Sequence, residues 1–119
     1  MKKVLVADDE EILRMLIVDT LEDSGYEIDT AEDGKEALKC LEENKYDLAI
    51  LDYMMPGLTG IEVLKGMDLN QKNEMKIIML TAKAQESDRV TAINSGADIF
   101  MAKPFSPVSL LNTVNEVLR

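Results

Sequence analysis

Short, nearly continuous apolar runs alternate along the chain with longer segments in which apolar residues recur at helical spacing. The runs predict strands at Lys3 to Ala7, Tyr26 to Thr30, Asp47 to Leu51, Lys76 to Leu80 and Ile99 to Ala102. The longer segments predict a first helix from Glu10 to Ser24 and a fourth helix that begins with Ser87 as its N-cap and stops at Gly96. The three other predicted helices contain Ala37, Leu38 and Leu41, then Ile61, Leu64 and Met67, and finally Leu110, Leu111, Val114 and Leu118.

Strict alternation of strands and helices predicts parallel strand pairing through right-handed crossovers. Continuous apolar strands agree with this, because a sheet covered on both faces needs apolar residues on both. We therefore expect a three-layer α/β sandwich with a five-stranded parallel sheet and five helices. The ten predicted elements use the whole chain of 119 residues, so we expect a single domain over residues 1–119.

Charge and hydropathy restrict the partners. The chain has 13 Lys and Arg residues against 23 Asp and Glu residues, a net charge of −10, which argues against direct nucleic-acid binding. No apolar run approaches the ~20 residues that a membrane span requires, so we expect a cytoplasmic protein without membrane contact. The chain contains no histidine, so any nucleophilic chemistry must use carboxylate, lysine or hydroxyl groups.

Polar residues follow four of the apolar runs. Asp8 and Asp9 follow the first run, Asp52 the third, Thr81 the fourth and Lys103 the fifth. Because the carboxyl ends of parallel strands share one sheet edge, these side chains are expected to form a single site there.

Clustered carboxylates repel one another unless a cation is present, and Mg²⁺ is a hard ion that prefers oxygen ligands. Taken alone, Asp8 with Glu11 is better explained as a helix cap, but the other strand-end residues make that explanation incomplete. An aspartate such as Asp52 can attack a phosphoryl group to form an acyl phosphate. Pro104 restricts Lys103 to extended geometry and permits a cis bond between the two residues.

The chain resembles the response-regulator receiver domain of two-component signalling over essentially its whole length. The resemblance is carried by residues 4–10 (VLVADDE), 51–57 (LDYMMPG), 80–83 (LTAK), 96–98 (GAD) and 103–105 (KPF). It implies a flavodoxin-like sheet of strand order 2-1-3-4-5. It also implies a receiver that has no output domain within these residues.

The resemblance implies a role for each site residue. Asp52 is the expected phosphoacceptor, and Asp9 and Asp52 are expected to bind Mg²⁺ directly, with Mn²⁺ as a substitute. Asp8 would act through water, and the main-chain carbonyl of Met54 would supply another ligand. The remaining expected roles are phosphoryl binding by Thr81 and Lys103, switching by Thr81 and Phe100, and flanking of the hydrolytic water path by Met54 and Lys83.

The expected function is a phosphorylation-activated signalling receiver rather than an enzyme acting on other molecules. The phosphoryl donor would be a histidine kinase or a histidine phosphotransfer protein, docking near Ile12, Met15 and Pro104. The face formed by the fourth helix, fifth strand and fifth helix would then control binding of a downstream protein target. The domain is expected to be a monomer or a weak, phosphorylation-dependent dimer.

Three alternatives remain open. The chain could be a phosphotransfer relay intermediate, or a constitutive interaction module that has the fold but does not switch. An aspartyl-nucleophile phosphatase is disfavoured, because that class usually has a second acid two residues after its nucleophile, where this chain has Met54.

Overall fold

The computed structural model describes residues 2–82 and 85–119. Within these ranges, five strands and six helices alternate along the chain, except that the third and fourth helices follow one another. The strands are β1 (Lys3–Ala7), β2 (Glu27–Ala31), β3 (Leu48–Asp52), β4 (Lys76–Thr81) and β5 (Ile99–Ala102). The helices are α1 (Glu11–Glu22), α2 (Gly34–Glu43), α3 (Gly60–Gly66), α4 (Leu69–Glu74), α5 (Glu86–Asn94) and α6 (Pro107–Val117).

The strands form one parallel sheet in the order β2-β1-β3-β4-β5, which confirms the expected order. Its register places Asp52 beside Leu80, and Thr81 beside Ala102. The carboxyl ends of β1, β3, β4 and β5 therefore lie along one edge, where the polar residues that follow these strands can meet.

Apolar side chains cover both faces of the sheet. Alternate strand residues point to opposite faces, so that Val4, Val6, Ile50 and Leu80 pack with buried residues of α1 and α6. The intervening strand residues pack in a second apolar layer with residues of α2, α3 and α5; its strand members include Leu5, Ala7, Ala49, Leu51, Ile77 and Met79. This confirms the three-layer sandwich. Among residues 2–82 and 85–119, no helix has both the length and the apolar character that a membrane span requires.

The expected count of five helices is wrong, because the short helix α4 precedes β4. Its sequence, Leu-Asn-Gln-Lys-Asn-Glu, lacks the apolar spacing by which the other helices were predicted. The helix is instead started by Asp68, whose carboxylate accepts a hydrogen bond from the Asn70 N–H at 3.1 Å. Local capping thus forms a turn of helix without an apolar stripe.

Some predicted boundaries also differ. Ser87 is not the N-cap of α5: the helix begins at Glu86, and Gln85 occupies the N-cap position without a side-chain capping bond. The expected stop at Gly96 is confirmed, since its φ of 118° is a conformation that favours glycine. Helix α1 is shorter than predicted, and β2, β3 and β4 each end one residue later than predicted.

Gly60, the first residue of α3, packs directly against the strand that carries Asp52. Its N–H donates to the carbonyl oxygen of Tyr53 at 2.9 Å. A Cβ atom here would lie 2.5 Å from Sδ of Met79 and 2.7 Å from the main-chain oxygen of Asp52. Glycine therefore allows α3 to approach the end of β3 closely, which fixes the loop that follows Asp52.

We expect Gly60→Ala to destabilise the protein by about 1–3 kcal/mol, because the added methyl group must displace backbone as well as a side chain. The matched control is Gly66→Ala at the exposed end of the same helix, where the nearest obstacle is a Leu38 methyl at 3.1 Å. Alanine there should change stability by less than about 1 kcal/mol. Urea unfolding followed by circular dichroism measures both, and equal effects would contradict the packing role of Gly60.

Candidate functional site

The ammonium group of Lys103 lies among three carboxylates at the carboxyl edge of the sheet. Its Nζ is 3.1 Å from Oδ2 of Asp8, 3.2 Å from Oδ2 of Asp52 and 3.5 Å from Oε1 of Glu10. The side chains of Asp8 and Asp52 are buried, whereas that of Glu10 is exposed. The structure thus brings together Asp8, Asp52 and Lys103, as the sequence predicts.

Asp8 is held by main-chain contacts as well as by Lys103. Its Oδ1 accepts a hydrogen bond from the Glu10 N–H at 2.8 Å, and its N–H donates to the carbonyl oxygen of Ala31 at 3.2 Å. Its own carbonyl oxygen accepts from Nη1 of Arg14, at 2.7 Å, and Arg14 also reaches Glu32 across the surface. Helix α1 therefore anchors the acidic turn that follows β1.

Lys103 and Thr81 are positioned by the end of β4. The Lys103 N–H donates to the carbonyl oxygen of Thr81 at 2.7 Å, and the Lys103–Pro104 peptide bond is cis. The Thr81 side chain is buried beside this contact. The hydroxyl and the ammonium group therefore come from adjacent strand ends on the same side of Asp52.

Electrostatics make Asp52 an unusual carboxylate. Burial, followed by the nearby charge of Asp8, raises its pKa from 3.8 to about 6, although Lys103 and the Met54 N–H act in the opposite direction. Burial also opposes the charge on Lys103, but the carboxylates of Asp52 and Asp8 outweigh it and raise the lysine pKa above its ordinary value. Lys103 is therefore a fixed cation, while Asp52 is a carboxylate whose ionised form is costly in the folded state.

The donor set fits a hard divalent cation. Among the described residues, carboxylate oxygens of Asp8, Glu10 and Asp52 lie within 4.8 Å of one another. Oxygen ligands of this kind suit Mg²⁺, which also keeps several of its waters. Residues Asp8, Glu10 and Asp52 could thus hold such an ion.

Two expected metal ligands, Asp9 and the Met54 carbonyl oxygen, are not part of this carboxylate group. Asp9 is exposed and is not a member of this carboxylate group, so its direct ligation stays a prediction. The side chain of Met54 is 62% exposed, which is compatible with a role for its main chain only. Its main-chain N–H lies near the Asp52 carboxyl group and acts to lower the pKa of that group. The proposed ligand, its carbonyl oxygen, likewise stays a prediction.

Sequence reasoning missed Glu10 as a site residue. It was recognised only as part of the motif around Asp8, although it directly follows the acidic pair. One sequence signal could have identified it: Glu10 directly precedes an apolar helical segment, where glutamate is a poor N-cap. A carboxylate that does not cap the helix can contact another group. The structure agrees: Glu10 occupies the N-cap position of α1 without a side-chain capping bond, so its carboxylate is available to Lys103.

Two further residues with expected roles are Phe100 and Lys83. Phe100 is half-buried on β5 and packs against the apolar layer that includes residues of α2, α3 and α5. Lys83, expected to flank the water path, lies outside the described residues.

Comparison with known proteins identifies relatives along nearly the whole chain. The response regulator receiver domain family matches residues 4–115. The alkaline phosphatase synthesis transcriptional regulatory protein PhoP of Bacillus subtilis is 50% identical over 118 residues, covering 99% of this chain and 49% of PhoP. The phosphate regulon transcriptional regulatory protein PhoB of Rhizobium meliloti is 43% identical, covering 98% of this chain and 52% of PhoB. The chain thus spans about half the length of these curated relatives.

Solved structures show the same fold. The chemotaxis response regulator CheY4 of Vibrio cholerae is 38% identical, with a TM-score of 0.93 and coverage of 99% of both chains. The response regulator protein TrrA from Thermotoga maritima, solved in complex with Mg(2+)-BeF, is 42% identical with a TM-score of 0.87. That match covers 99% of this chain and 100% of TrrA.

The raised pKa of Asp52 predicts a pH-dependent stability change in the metal-free protein. Because the folded pKa is above the unfolded one, the contribution of Asp52 is most favourable below pH 3.8 and is lost as the pH rises through about 6. Asp52→Asn removes this penalty and should stabilise the protein at pH 7 by on the order of 2 kcal/mol. The gain should shrink towards pH 4.

Urea unfolding in chelator at several pH values measures this effect. Asp9→Asn is the control, because Asp9 is exposed and outside the carboxylate group, and it should change stability by less than about 0.5 kcal/mol. A gain for Asp52→Asn that did not vary with pH would contradict the electrostatic explanation.

Proposed function

This chain belongs to the response regulator receiver domain family, the signalling domains of two-component systems, and we propose that Asp52 is its phosphoacceptor. The observation that carries the proposal is the ion pair between the buried Asp52 carboxylate and Lys103, at 3.2 Å. The Asp52 carboxylate can act as the nucleophile that attacks a phosphoryl group, and the Lys103 ammonium group on the same sheet edge can neutralise the negative charge of the phosphoryl oxygens.

The phosphoryl donor is a phosphohistidine of a partner histidine kinase or phosphotransfer protein, since this chain contains no histidine. A carboxylate oxygen of Asp52 attacks phosphorus, the bond between phosphorus and the donor's imidazole nitrogen breaks, and the imidazole leaves with that electron pair. Asp52 must be ionised to attack, and its pKa of about 6 leaves it ionised at neutral pH. Lys103 and Thr81 then bind the phosphoryl oxygens.

A divalent cation at the carboxylate group would neutralise charge on the transferring phosphoryl oxygens. Asp8 and Asp52 would hold it, together with Asp9 and the Met54 carbonyl oxygen as the family resemblance implies. The requirement for Mg²⁺ is supported by the hard oxygen donors of this site and by the similar protein TrrA, which was solved in complex with Mg(2+)-BeF. Mn²⁺ offers the same preference for oxygen and is the proposed substitute.

The donor would approach through a groove beside α1. The groove, of about 610 Å³, is lined by Glu10, by Lys103 and by five apolar residues. The apolar residues are Leu13, Leu16, Ala82, Pro104 and Phe105. Beside it, α1 exposes Ile12 and Met15, of which 84% and 56% are accessible. Exposed apolar side chains on the helix that lines this groove are typical of a protein docking surface. We assign this surface to the phosphohistidine donor.

A second surface, formed by α5, β5 and α6, would respond to phosphorylation of Asp52. Phosphorylation would draw the Thr81 hydroxyl towards the phosphoryl oxygens and change the packing space of Phe100 on the adjoining strand. Helix α5 exposes Val90 and Ile93, so a shift of this helix would change an apolar surface. The face formed by α5, β5 and α6 therefore controls a downstream protein target, with phosphorylation shifting the balance between two existing states.

We expect acetyl phosphate with Mg²⁺ to add one phosphoryl group to the protein, because that donor needs no docking surface. Intact-mass analysis should show a single adduct, which is lost with Asp52→Asn and after chelation. Asp19→Asn, an equal change at an exposed position of α1, should leave the adduct intact. An adduct that persisted in Asp52→Asn would remove Asp52 as the phosphoacceptor, and a wild type without any adduct would favour a constitutive interaction module.

The switching route predicts a specific effect of Thr81→Val, which keeps the side-chain shape but removes the hydroxyl. The variant should still be phosphorylated on Asp52, yet amide NMR shifts upon phosphorylation should largely disappear from α5, β5 and α6. Shifts in those elements equal to those of the wild type would contradict a route through the Thr81 hydroxyl.

A further inference from the structure

Glu10 is the exposed member of the carboxylate group that it forms with Asp8 and Asp52. Its Oε1 lies 3.5 Å from Nζ of Lys103, although 64% of its side chain is exposed. The buried carboxylates of Asp8 and Asp52 contact the same ammonium group from inside. Glu10 thus covers Lys103 on the side that faces solvent.

Glu10 also lies in the groove through which a phosphoryl donor would arrive, together with Leu13 and Phe105. Its main chain is fixed, because its N–H donates to Oδ1 of Asp8 at 2.8 Å and its carbonyl oxygen accepts from the Arg14 N–H at 2.9 Å. The carboxylate makes no capping bond to α1. The backbone is therefore held in place while the side chain can exchange one cationic partner for another.

The formal charges explain what this carboxylate does. Asp8, Glu10 and Asp52 carry three negative charges and Lys103 one positive charge, so these four groups together carry −2. Asp9, the further ligand of the proposed site, brings the sum to −3, so that a bound divalent cation leaves −1 with Glu10 present and 0 without it. Glu10 therefore favours binding of the cation, but it opposes the approach of an anionic phosphoryl group to Lys103.

We propose that Glu10 is a specificity-determining residue of the phosphoryl-transfer site, which strengthens divalent-cation binding and slows reaction with small anionic phosphoryl donors. This inference rests on the proposed function of Asp52. In the unphosphorylated protein the Glu10 carboxylate pairs with the Lys103 ammonium group. An incoming phosphoryl oxygen must displace this carboxylate to bind on that side of the ammonium group. A protein donor docked on α1 can supply contacts that offset this displacement, whereas a small donor cannot.

The first experiment compares Glu10→Gln with Glu11→Gln. Both changes remove one negative charge from an exposed residue at the start of α1, but Glu11 is not a member of the carboxylate group. Mg²⁺ titration calorimetry of the metal-free proteins at low ionic strength should show a dissociation constant about threefold to tenfold higher for Glu10→Gln. Glu11→Gln should differ from the wild type by less than about twofold. Equal effects of the two variants would overturn the proposal.

The second experiment measures the rate of phosphorylation by acetyl phosphate when Mg²⁺ is saturating for each protein. In this reaction the bond between phosphorus and the acetate oxygen breaks, acetate leaves, and a bond forms between phosphorus and a carboxylate oxygen of Asp52. With the cation saturating, Glu10→Gln should react about twofold to fivefold faster than the wild type, because one negative charge beside Lys103 no longer repels the anionic donor. A rate that was unchanged or lower would overturn the second half of the proposal.

The role of Glu10 and the phosphoacceptor role of Asp52 are distinguished by different outcomes. If the wild type is phosphorylated on Asp52 with Mg²⁺ but Glu10→Gln behaves like Glu11→Gln, the role of Glu10 is wrong and the receiver function stands. If the wild type neither binds Mg²⁺ nor gains a phosphoryl group, the proposed function itself is wrong. Thermal unfolding of both variants checks that neither change alters the fold.

Discussion

The arrangement of the site depends on one ion-pair cluster, in which Lys103 lies between the carboxylates of Asp8 and Asp52. Asp8 directly follows β1, Asp52 is the last residue of β3 and Lys103 directly follows β5; these strands are far apart in sequence but end at the same sheet edge. Although β3 and β4 lie between β1 and β5 in the sheet, the Lys103 side chain reaches across the edge to the Asp8 carboxylate. The lysine therefore joins the two halves of the sheet at the edge where the proposed phosphoacceptor lies.

The same cluster sets function against stability. Two buried carboxylates share one ammonium group, and the carboxylate of Asp52 is held in an environment that disfavours its charge. The apolar layers on both faces of the sheet supply the stability that tolerates this cost. A divalent cation bound by these carboxylates would offset part of the repulsion between Asp8 and Asp52.

Most of the fold followed from the sequence because the strands are continuous apolar runs and the helices carry apolar stripes. Helix α4 could not be predicted in this way, since its polar sequence is started by the Asp68 cap and not by packing. The convergence of Asp8, Asp52 and Lys103 followed from their positions at the ends of the first, third and fifth apolar runs. The contribution of Glu10 did not, because it depends on the direction of one side chain leaving an N-cap position. Side-chain direction at a turn is set by local hydrogen bonds, such as that between the Glu10 N–H and Asp8, which the pattern of apolar residues does not encode.

Asp52 is a buried carboxylate whose ionised form is disfavoured by burial and by Asp8 and is favoured by Lys103. The most direct test is a carbon-detected NMR titration of the Asp52 carboxyl group in metal-free wild type and in Lys103→Met. The account predicts a pKa of about 6 in the wild type and a higher value in the variant, because the lysine acts to lower it. A wild-type pKa near 3.8 that did not change when Lys103 was replaced would contradict the account.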